Sequence, residues 1–406
     1  MQSRNLDALL VVGPAQHNPA MTYLTGGGHV TSAVLVKWRG EEAVLFYNPM
    51  EREEAAATGL ACRDLSVYDF QAMLREANGR QDEAQALRLA RILQDLGVTG
   101  GRVALEGRVD LGANFAIFSA LQRQMPEITL VGEVGDSVLL QARATKSEAE
   151  VERIRRMGQI TTTVVGRTAD FLSGQRARQD GVLLDSKDQP VTIGRVKALI
   201  NLWLAELGAE NPEGTIFAQG RDAGIPHSTG NPQEALRTGQ TIVFDIFPCE
   251  AGGGYFYDFT RTWCLGYAPD EALALYEQVH AVYAQVMSEL RMGEYCKRYQ
   301  IRACELFEAQ GHPTVQSQPR TQEGYVHSLG HGLGLDVHEA PWFGNTAANE
   351  DRLEPGVVVT IEPGLYYPEH GMGCRLEDTV WARPDGGFEV LAEYPLDLVI
   401  PVGKER

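Results

Sequence analysis

The sequence predicts two domains, an α/β domain at the amino-terminal end and a larger α+β domain after it. The chain of 406 residues is longer than one typical domain. Short apolar runs rich in β-branched residues alternate with helical patterns through about residue 140, which is typical of an α/β domain. Ser147 and Glu150 then match a helix capping box at the start of a new segment. We therefore expect domains over residues 1–140 and 147–406, joined by a polar linker over 141–146.

The first domain is predicted from alternating strand and helix patterns. Runs of four to six mainly apolar residues predict strands, whereas apolar positions spaced three and four apart predict amphipathic helices. The strands are expected over Ala8–Val12, Ser32–Val36, Ala43–Phe46 and Val103–Leu105, with helices such as Ala84–Leu96 and Ala113–Gln124.

The second domain begins with a long helix whose apolar positions fall on one face, so that it should pack on a sheet. Those positions are Val151, Ile154, Met157, Val164 and Leu172. Further helices are predicted over Ile193–Leu207, Asp270–Leu290 and Tyr299–Ala309, and strands over Thr241–Ile246, Tyr255–Trp263, Val357–Glu362 and Arg375–Trp381. Three consecutive glycines at 252–254 indicate a loop with an unusual backbone conformation.

The composition excludes several functional classes. There are 54 acidic against 36 basic side chains, a net charge of −18, and no basic stripe, so nucleic acid and membrane surfaces are not expected partners. The six cysteines are dispersed without a paired motif and are expected to be reduced. The amino terminus resembles a first strand more than a signal sequence, and no apolar run is long enough to cross a bilayer. The sequence thus predicts a soluble cytoplasmic protein.

Four carboxylates carry the first chemical signal, because each lies in a run that is otherwise apolar. An acid buried in a strand is costly unless it is paired or binds a metal. Any one of them alone could be an exposed or strand-end acid, but their recurrence favours a common function. The four are Asp245, Asp258, Glu362 and Glu377.

Three histidines clustered among glycines carry the second signal. His327, His331 and His338 fall within twelve residues. The glycines favour strand and turn over a helix, and the spacing does not fit a helical zinc motif. A lone histidine here would be structural. Together with the four acids, the histidines predict a cocatalytic metal centre.

These motifs resemble those of the pita-bread metallopeptidase superfamily, which includes methionine aminopeptidase, prolidase, aminopeptidase P and the metal-free hydrolase creatinase. Five motifs match in order. They are Asp245; Gly254-Tyr255 through Asp258, Thr260 and Arg261; Gly330-His331-Gly332-Leu333-Gly334; Glu362-Pro363-Gly364; and Arg375-Leu376-Glu377-Asp378. The resemblance implies a pita-bread fold for the second domain and a creatinase-type fold for the first.

The resemblance also implies roles for these residues. It implies two divalent metal ions, Mn²⁺, Co²⁺ or Zn²⁺, with Asp245 on one, His331 and Glu362 on the other, and the remaining two acids bridging. A hydroxide that bridges the metals would attack the scissile carbonyl, with Glu362 also accepting its proton. His227 and His338 would stabilise the tetrahedral intermediate or move protons, whereas His327 could line the substrate pocket or only pack.

The sequence departs from the family pattern beside Asp245. The thirteen-residue step to Asp258 is two residues longer than usual, and Phe247 stands where a glycine is usual. The change is either a harmless hairpin of altered length or a reshaped pocket for the substrate amine. No arginine follows His338, so a carboxylate clamp would have to come from elsewhere. The candidates are Arg261, Arg320, Arg352 and Arg375, and we include Arg375 with Phe247 and His327 as candidate substrate contacts.

The sequence therefore predicts a two-metal exopeptidase for short peptides, of the Xaa-Pro aminopeptidase or Xaa-Pro dipeptidase type. Trp342 and Phe343 are candidates for an apolar substrate wall, with packing in the core as the alternative. By resemblance, the chain should form a homodimer in which the first domain caps the partner's site. The alternatives are carboxypeptidase polarity, a metal-free creatinase-like hydrolase, and a binding module without catalysis.

Overall fold

The computed structural model describes residues 1–404 of the 406-residue chain. It divides into two compact units. The first contains Met1–Arg143 together with Gly252–Gly254, and the second contains Ala144–Ala251 and the chain from Tyr255 onwards. Both units combine helices with sheets, which confirms the predicted fold class.

The first unit is built on a six-stranded mixed sheet in the order β4-β3-β2-β1-β5-β6. Its strands are β1 (Ala8–Gly13), β2 (Ala33–Trp38), β3 (Ala43–Tyr47), β4 (Ala61–Asp64), β5 (Gly101–Glu106) and β6 (Ile128–Val131). Its helices are α1 (Pro19–Thr25), α2 (Arg52–Ala57), α3 (Phe70–Glu76), α4 (Gln81–Asp95), α5 (Leu111–Gln124) and α6 (Val138–Ala144). Every strand and helix predicted for this region is present, with its ends shifted by at most three residues.

The strand β1 explains why the first run of the sequence is continuously apolar. Leu10 and Val12 pack in one core with α4 and α5, whereas Leu9 and Val11 pack in a second core on the other face of the sheet. Successive side chains of a strand point to opposite faces, so a strand covered on both faces must be apolar throughout.

The second unit contains two larger sheets and several short ribbons. The four-stranded sheet has the order β10-β11-β13-β21, and the five-stranded sheet has the order β15-β14-β16-β19-β20. The strands are β7 (Arg176–Ala177), β8 (Leu183–Leu184), β9 (Ala209–Glu210), β10 (Thr215–Gln219), β11 (Thr241–Ile246), β12 (Cys249–Glu250), β13 (Phe259–Leu265), β14 (His331–Gly332), β15 (Glu339–Trp342), β16 (Val358–Ile361), β17 (Gly364–Tyr367), β18 (Met372–Arg375), β19 (Asp378–Ala382), β20 (Phe388–Val390), β21 (Val399–Ile400) and β22 (Gly403–Lys404).

Four helices cover these sheets, as the sequence predicted. They are α7 (Glu148–Ser173), α8 (Ile193–Glu206), α9 (Asp270–Glu289) and α10 (Cys296–Ala309). The capping box is present at the start of α7, where the Ser147 hydroxyl accepts from the Glu150 N–H and the Glu150 carboxylate accepts from the Ser147 N–H. It satisfies two amide groups that have no partner inside the helix.

Three predicted strands differ from the structure at the acids that they were expected to contain. The strand predicted over Val357–Glu362 ends at Ile361, so Glu362 directly follows it. The run at 255–258 is irregular and β13 begins only at Phe259, so Asp258 precedes the strand. The run at 375–381 is two strands, β18 and β19, with Glu377 between them. The periodicity could not reveal these breaks, because the interrupted backbone is as buried as the strands on either side.

Two further expectations concern redox state and the membrane. All six cysteines are free thiols, and five of them are buried. Within residues 1–404, no helix is both long enough and apolar enough to span a bilayer.

Gly252 and Gly253 adopt positive φ angles of 87° and 84°, which explains the glycine run.

Two glycines of α7 should respond oppositely to the same substitution. A Cβ at Gly158 would lie 2.6 Å from Cε2 of the buried Tyr257, whereas a Cβ at Gly166 would meet no atom closer than 3.9 Å. Thermal unfolding should therefore show that Gly158→Ala costs about 1–3 kcal/mol through overpacking. Gly166→Ala, the matched control, should stabilise by up to about 1 kcal/mol through helix propensity. Equal effects at the two positions would contradict this packing.

Candidate metal centre

Thr260 in β13 is the point around which three of the predicted acids are arranged. On one side Thr260 pairs with Asp245 of β11, and on the other side it forms an isolated antiparallel bridge with Glu377. Asp258 precedes Thr260 by two residues. The Thr260 hydroxyl donates a 2.7 Å hydrogen bond to Glu377 Oε2, and its carbonyl accepts the Glu377 N–H at 3.1 Å. The break between β18 and β19 therefore holds Glu377 beside the two aspartates.

The histidine turn reaches the same place because its glycines allow the backbone to approach very closely. A Cβ at Gly330 would lie 2.0 Å from the Thr360 carbonyl oxygen, and one at Gly332 would lie 2.1 Å from the Ala340 carbonyl oxygen. No side chain fits at either position, so β14 can lie against β16 and β15 only with glycine there. The Gly-His-Gly motif is thus a steric requirement for placing His331.

His331 presents one ring nitrogen to the acids. Its Nδ1 lies 3.0 Å from the carbonyl oxygen of Gly332, which can only accept, so the proton belongs on Nδ1. The Nε2 lone pair then faces Asp258 Oδ2 at 3.6 Å and Glu362 Oε1 at 3.4 Å. This tautomer suits a metal ligand.

The remaining predicted acids complete one cluster. Ligand atoms of Asp258, His331 and Glu377 all lie within 4.8 Å of one another. Glu362, just after β16, accepts a 3.3 Å hydrogen bond from Thr360, whose hydroxyl also accepts the His331 N–H at 3.1 Å. Asp245 is 8% exposed, and its Oδ1 is buried without a hydrogen-bond partner among the described residues.

The pKa values of these residues show that, without bound cations, it is unfavourable for all of the acids to be ionised at once. Burial, reinforced by the negative charge of Asp245, raises the pKa of Asp258 well above its usual range. Burial likewise raises the pKa of Glu362 to about 8, and burial with the charge of Asp258 raises the pKa of Glu377. Burial lowers the pKa of His331 to about 3. The acids favour their protonated forms and the imidazole favours its neutral form.

These observations fit divalent cations bound among the five residues. Four clustered carboxylates, a neutral imidazole with a free lone pair and an orphaned carboxylate oxygen form a donor set rich in oxygen. Bound cations would reverse the preference for protonated acids, since a cation stabilises the carboxylate form.

Arg375 forms a hydrogen-bond network beside the acid cluster. Its guanidinium donates to Asp245 Oδ2 at 2.5 Å, to the Tyr366 hydroxyl at 2.7 Å and to Thr260 Oγ1 at 3.2 Å. A further N–H lies 3.3 Å from the Pro226 carbonyl oxygen. Arg375 is 3% exposed, so its charge is largely committed to protein groups.

His327 lies at the far end of this network. Its Nδ1 lies 2.7 Å from the Ser328 carbonyl oxygen and must donate, so its Nε2 accepts the Tyr366 O–H at 2.8 Å. Burial lowers the pKa of His327 to about 3, which is consistent with this neutral tautomer. Both ring nitrogens therefore already have partners within the protein.

The cluster opens into a cavity of about 390 Å³, a size suited to a small ligand. All of the candidate site residues line it: Asp245, Asp258, His331, Glu362, Glu377, His227, His338, His327, Phe247 and Arg375. The His338 ring lies 4.3 Å from the His331 ring, between centroids. Trp342 lines the cavity and is 46% exposed, whereas Phe343 is part of the hydrophobic core. The glycines at 252–254 are not among its lining residues in the described chain.

The other candidate arginines do not line this cavity within residues 1–404. Arg261 is buried in an ion pair with Asp378, and Arg352 stacks on the ring of Tyr295. Arg320 lies in an exposed segment. None of the three is placed to hold a substrate in this cavity.

Three contributors were not singled out from the sequence. Thr260 lies inside a motif that was quoted, but only the acids were given roles. Tyr366 lies two residues after the Glu-Pro-Gly motif, and nothing in the sequence distinguished it from the neighbouring Tyr367. Glu213 lines the cavity from a loop before β10, and nothing in its sequence surroundings marks it.

Metal binding should stabilise the protein more at pH 8 than at pH 5.5. Glu362 has a folded-state pKa of about 8, above the value near 4.3 of an unfolded chain. Protonation therefore stabilises the metal-stripped fold at acid pH, and this contribution is lost as the pH rises through about 8. A cation needs the carboxylate forms and gains affinity over the same range.

Thermal unfolding of chelator-treated protein with and without Mn²⁺ at the two pH values measures this difference. A fixed Mn²⁺ concentration, one hundred times the Kd at pH 8, should add about 2.7 kcal/mol at pH 8 and less at pH 5.5. Glu377→Gln should lose most of the shift. An equal shift at both pH values would contradict the expectation.

Comparisons with known proteins agree with this arrangement. Residues 152–384 match the model of metallopeptidase family M24, and residues 1–143 match the creatinase/prolidase N-terminal domain. The probable dipeptidase PepE of Mycobacterium tuberculosis is 29% identical over 263 residues, which cover 65% of this chain and 62% of that protein. The Xaa-Pro dipeptidase of Pyrococcus horikoshii is 25% identical over 390 residues, 95% of this chain and 93% of that one.

Solved structures show the same fold over nearly the whole chain. A dipeptidase from Pyrococcus horikoshii superposes with a TM-score of 0.75 at 22% identity, covering 98% of this chain and 97% of that one. An X-Pro aminopeptidase from Thermotoga maritima gives a TM-score of 0.74 at 24% identity, with 97% of each chain covered. The family model covers more than half of the sequence, and its residues include all five of the clustered side chains. The chain therefore belongs to metallopeptidase family M24.

Proposed function

We propose that this chain is a two-metal exopeptidase that hydrolyses short peptides, of the Xaa-Pro aminopeptidase or Xaa-Pro dipeptidase type. The observation that carries the proposal is the burial of four carboxylates and one neutral imidazole around a single cavity, with an unpartnered oxygen on Asp245. The named relatives include Xaa-Pro dipeptidases and an X-Pro aminopeptidase, which supports this substrate class.

The proposed ligands are the five clustered residues. Asp245 would hold one metal, His331 and Glu362 the other, and Asp258 and Glu377 would bridge them. The oxygen-rich donor set suits Mn²⁺, Co²⁺ or Zn²⁺. When bound, such ions activate water as a nucleophile and polarise a scissile carbonyl.

The chain's own residues would move protons and fix geometry. Bound cations would hold Glu362 in its carboxylate form, which is the form that can accept a proton. His338 and His227 line the same cavity and could donate hydrogen bonds to the oxygen that becomes negative. Arg375 is proposed to position Asp245, since its guanidinium already holds one carboxylate oxygen and leaves the other bare.

The alternatives to this proposal receive less support. The relatives are named dipeptidases and an aminopeptidase, which does not favour carboxypeptidase polarity. A creatinase-like hydrolase without metal, or a binding module without catalysis, would be expected to have lost part of the donor set, which is intact here. The homodimer and the cytoplasmic location stay predictions.

The test is hydrolysis of a small peptide set by chelator-treated protein resupplied with Mn²⁺, Co²⁺ or Zn²⁺. The set contains Xaa-Pro, Xaa-Pro-Yaa and tripeptides blocked at either end, with products identified by mass. We expect metal-dependent cleavage only of peptides with a free amino end. Cleavage of amino-blocked peptides that fails on carboxyl blocking would establish the opposite polarity.

His331→Ala and Glu362→Ala should each lower kcat/KM by at least about 10²-fold while the chain stays folded. His370→Ala and Glu369→Gln are matched controls, since both residues are exposed and lie outside the cavity lining of the described chain. Full activity in either of the first two variants would refute the two-metal assignment.

The link from Arg375 through Tyr366 to His327 gives a second prediction. Tyr366→Phe removes the hydroxyl that joins the guanidinium to the imidazole. It should lower kcat about tenfold, because Asp245 and His327 lose a common support. Tyr367→Phe is the control, since its hydroxyl contacts His312 instead. Steady-state kinetics with one Xaa-Pro peptide measures both, and equal losses would contradict the specific role of Tyr366.

A further inference from the structure

Glu213 is the one carboxylate of the cavity wall that stands apart from the metal cluster. It is exposed and lines the cavity together with the five clustered residues. No hydrogen bond or ion pair engages its carboxylate within residues 1–404. An acid without a counter-charge on the wall of a binding cavity is available to a ligand.

The strand register places Glu213 at one end of the strand pair that carries Asp245. Thr215 of β10 pairs with Ile246 of β11, and the neighbouring pair joins Ile216 to Asp245. Glu213 lies just before β10, and Phe247 directly follows β11. Because the two strands are antiparallel, both residues lie at the same end of this strand pair. Phe247 also lines the cavity, so this end of the strand pair forms part of the cavity wall.

His338 lines the same cavity as Glu213, and the charge of Glu213 acts on its imidazole. The His338 ring in turn lies against the ring of His331. Glu213 therefore belongs to the wall of the cavity that also carries His338.

The distribution of charge in the cavity favours a cationic ligand group at this position. Five carboxylates line the cavity, and two divalent cations together with Arg375 would balance them in total. These positive charges lie at the cluster, where Arg375 is bonded to Asp245. Within residues 1–404 no ion pair engages Glu213, so its negative charge has no partner of its own. An anionic ligand group would be repelled at this wall and a cationic one attracted.

We infer that Glu213 is a specificity-determining residue whose carboxylate binds a cationic nitrogen of the substrate. The nitrogen can come from either of two sources on the substrate's amino-terminal residue, its α-ammonium group or a basic side chain. The inference rests on the proposed peptidase function. It adds that substrate polarity or side-chain preference is selected by a residue outside the metal cluster.

The experiment compares wild-type enzyme with Glu213→Gln, both loaded with Mn²⁺, on four tripeptides. Lys-Pro-Ala and norleucine-Pro-Ala differ in the side-chain ammonium, whereas Leu-Pro-Ala and its analogue without the α-amino group differ in the α-ammonium. Glu206→Gln is the matched control, because it removes one exposed carboxylate at the end of α8, outside the cavity lining of the described chain.

Glu213→Gln should raise KM about three- to tenfold for the substrate that carries the recognised cation, with kcat unchanged. The desamino analogue is tested as a competitive inhibitor, and the corresponding Xaa-Pro dipeptides replace the tripeptides if the wild-type enzyme cleaves only dipeptides. A rise in KM for Leu-Pro-Ala without a rise in the inhibition constant of its desamino analogue identifies the α-ammonium, and a rise for Lys-Pro-Ala but not norleucine-Pro-Ala identifies the side chain. Unchanged constants, or equal changes for all four compounds, overturn this inference while leaving the peptidase proposal intact. Failure of the wild-type enzyme to cleave any of the tripeptides or dipeptides overturns both.

Discussion

The structure depends on one electrostatic constraint, the burial of four carboxylates around a single small cavity. Burial, together with the like charges of the neighbouring acids, disfavours ionisation and raises the pKa values of Asp258, Glu362 and Glu377. The surroundings of the cluster are arranged to tolerate it. Thr260 and Thr360 donate to two of the acids, and Arg375 neutralises part of the charge on Asp245. In a family that binds two cations at such a place, relief of this repulsion contributes to the metal affinity.

Two kinds of residue form the site. One kind supplies the groups that could bind cations, and the other kind holds those groups in position. The donor groups come from strand ends and turns, where the backbone can leave the sheet, and the supporting groups come from the strands themselves. Arg375 illustrates the division, since it ends β18, bonds to Asp245 in the four-stranded sheet, and donates to the Tyr366 hydroxyl that contacts His327. A substitution at a supporting position would therefore change activity by moving a carboxylate, with no loss of a functional group at the centre.

Much of the fold and of the site could be predicted from the sequence. Helices such as α7 and α9 follow directly from apolar periodicity, and the capping box located the start of α7 to the residue. The four acids were found because an acid that interrupts an apolar run is chemically costly, whereas His331 was chosen from the histidine cluster through the resemblance to the metallopeptidase motifs. The breaks before β13 and between β18 and β19 were not predicted, since buried irregular backbone has no periodicity of its own. Glu213 was missed for a related reason, because an acid in a polar loop gives no local signal that it faces a cavity.

The glycines beside His331 have a consequence for how such chains diverge. Gly330 and Gly332 are required by backbone contacts with Thr360 and Ala340, not by any contact with a ligand. A descendant that lost its metals and its activity would still need both glycines in order to fold. The Gly-His-Gly motif is therefore a mark of the architecture, whereas the four carboxylates, whose ionisation the buried site disfavours, are a mark of the capacity to bind cations.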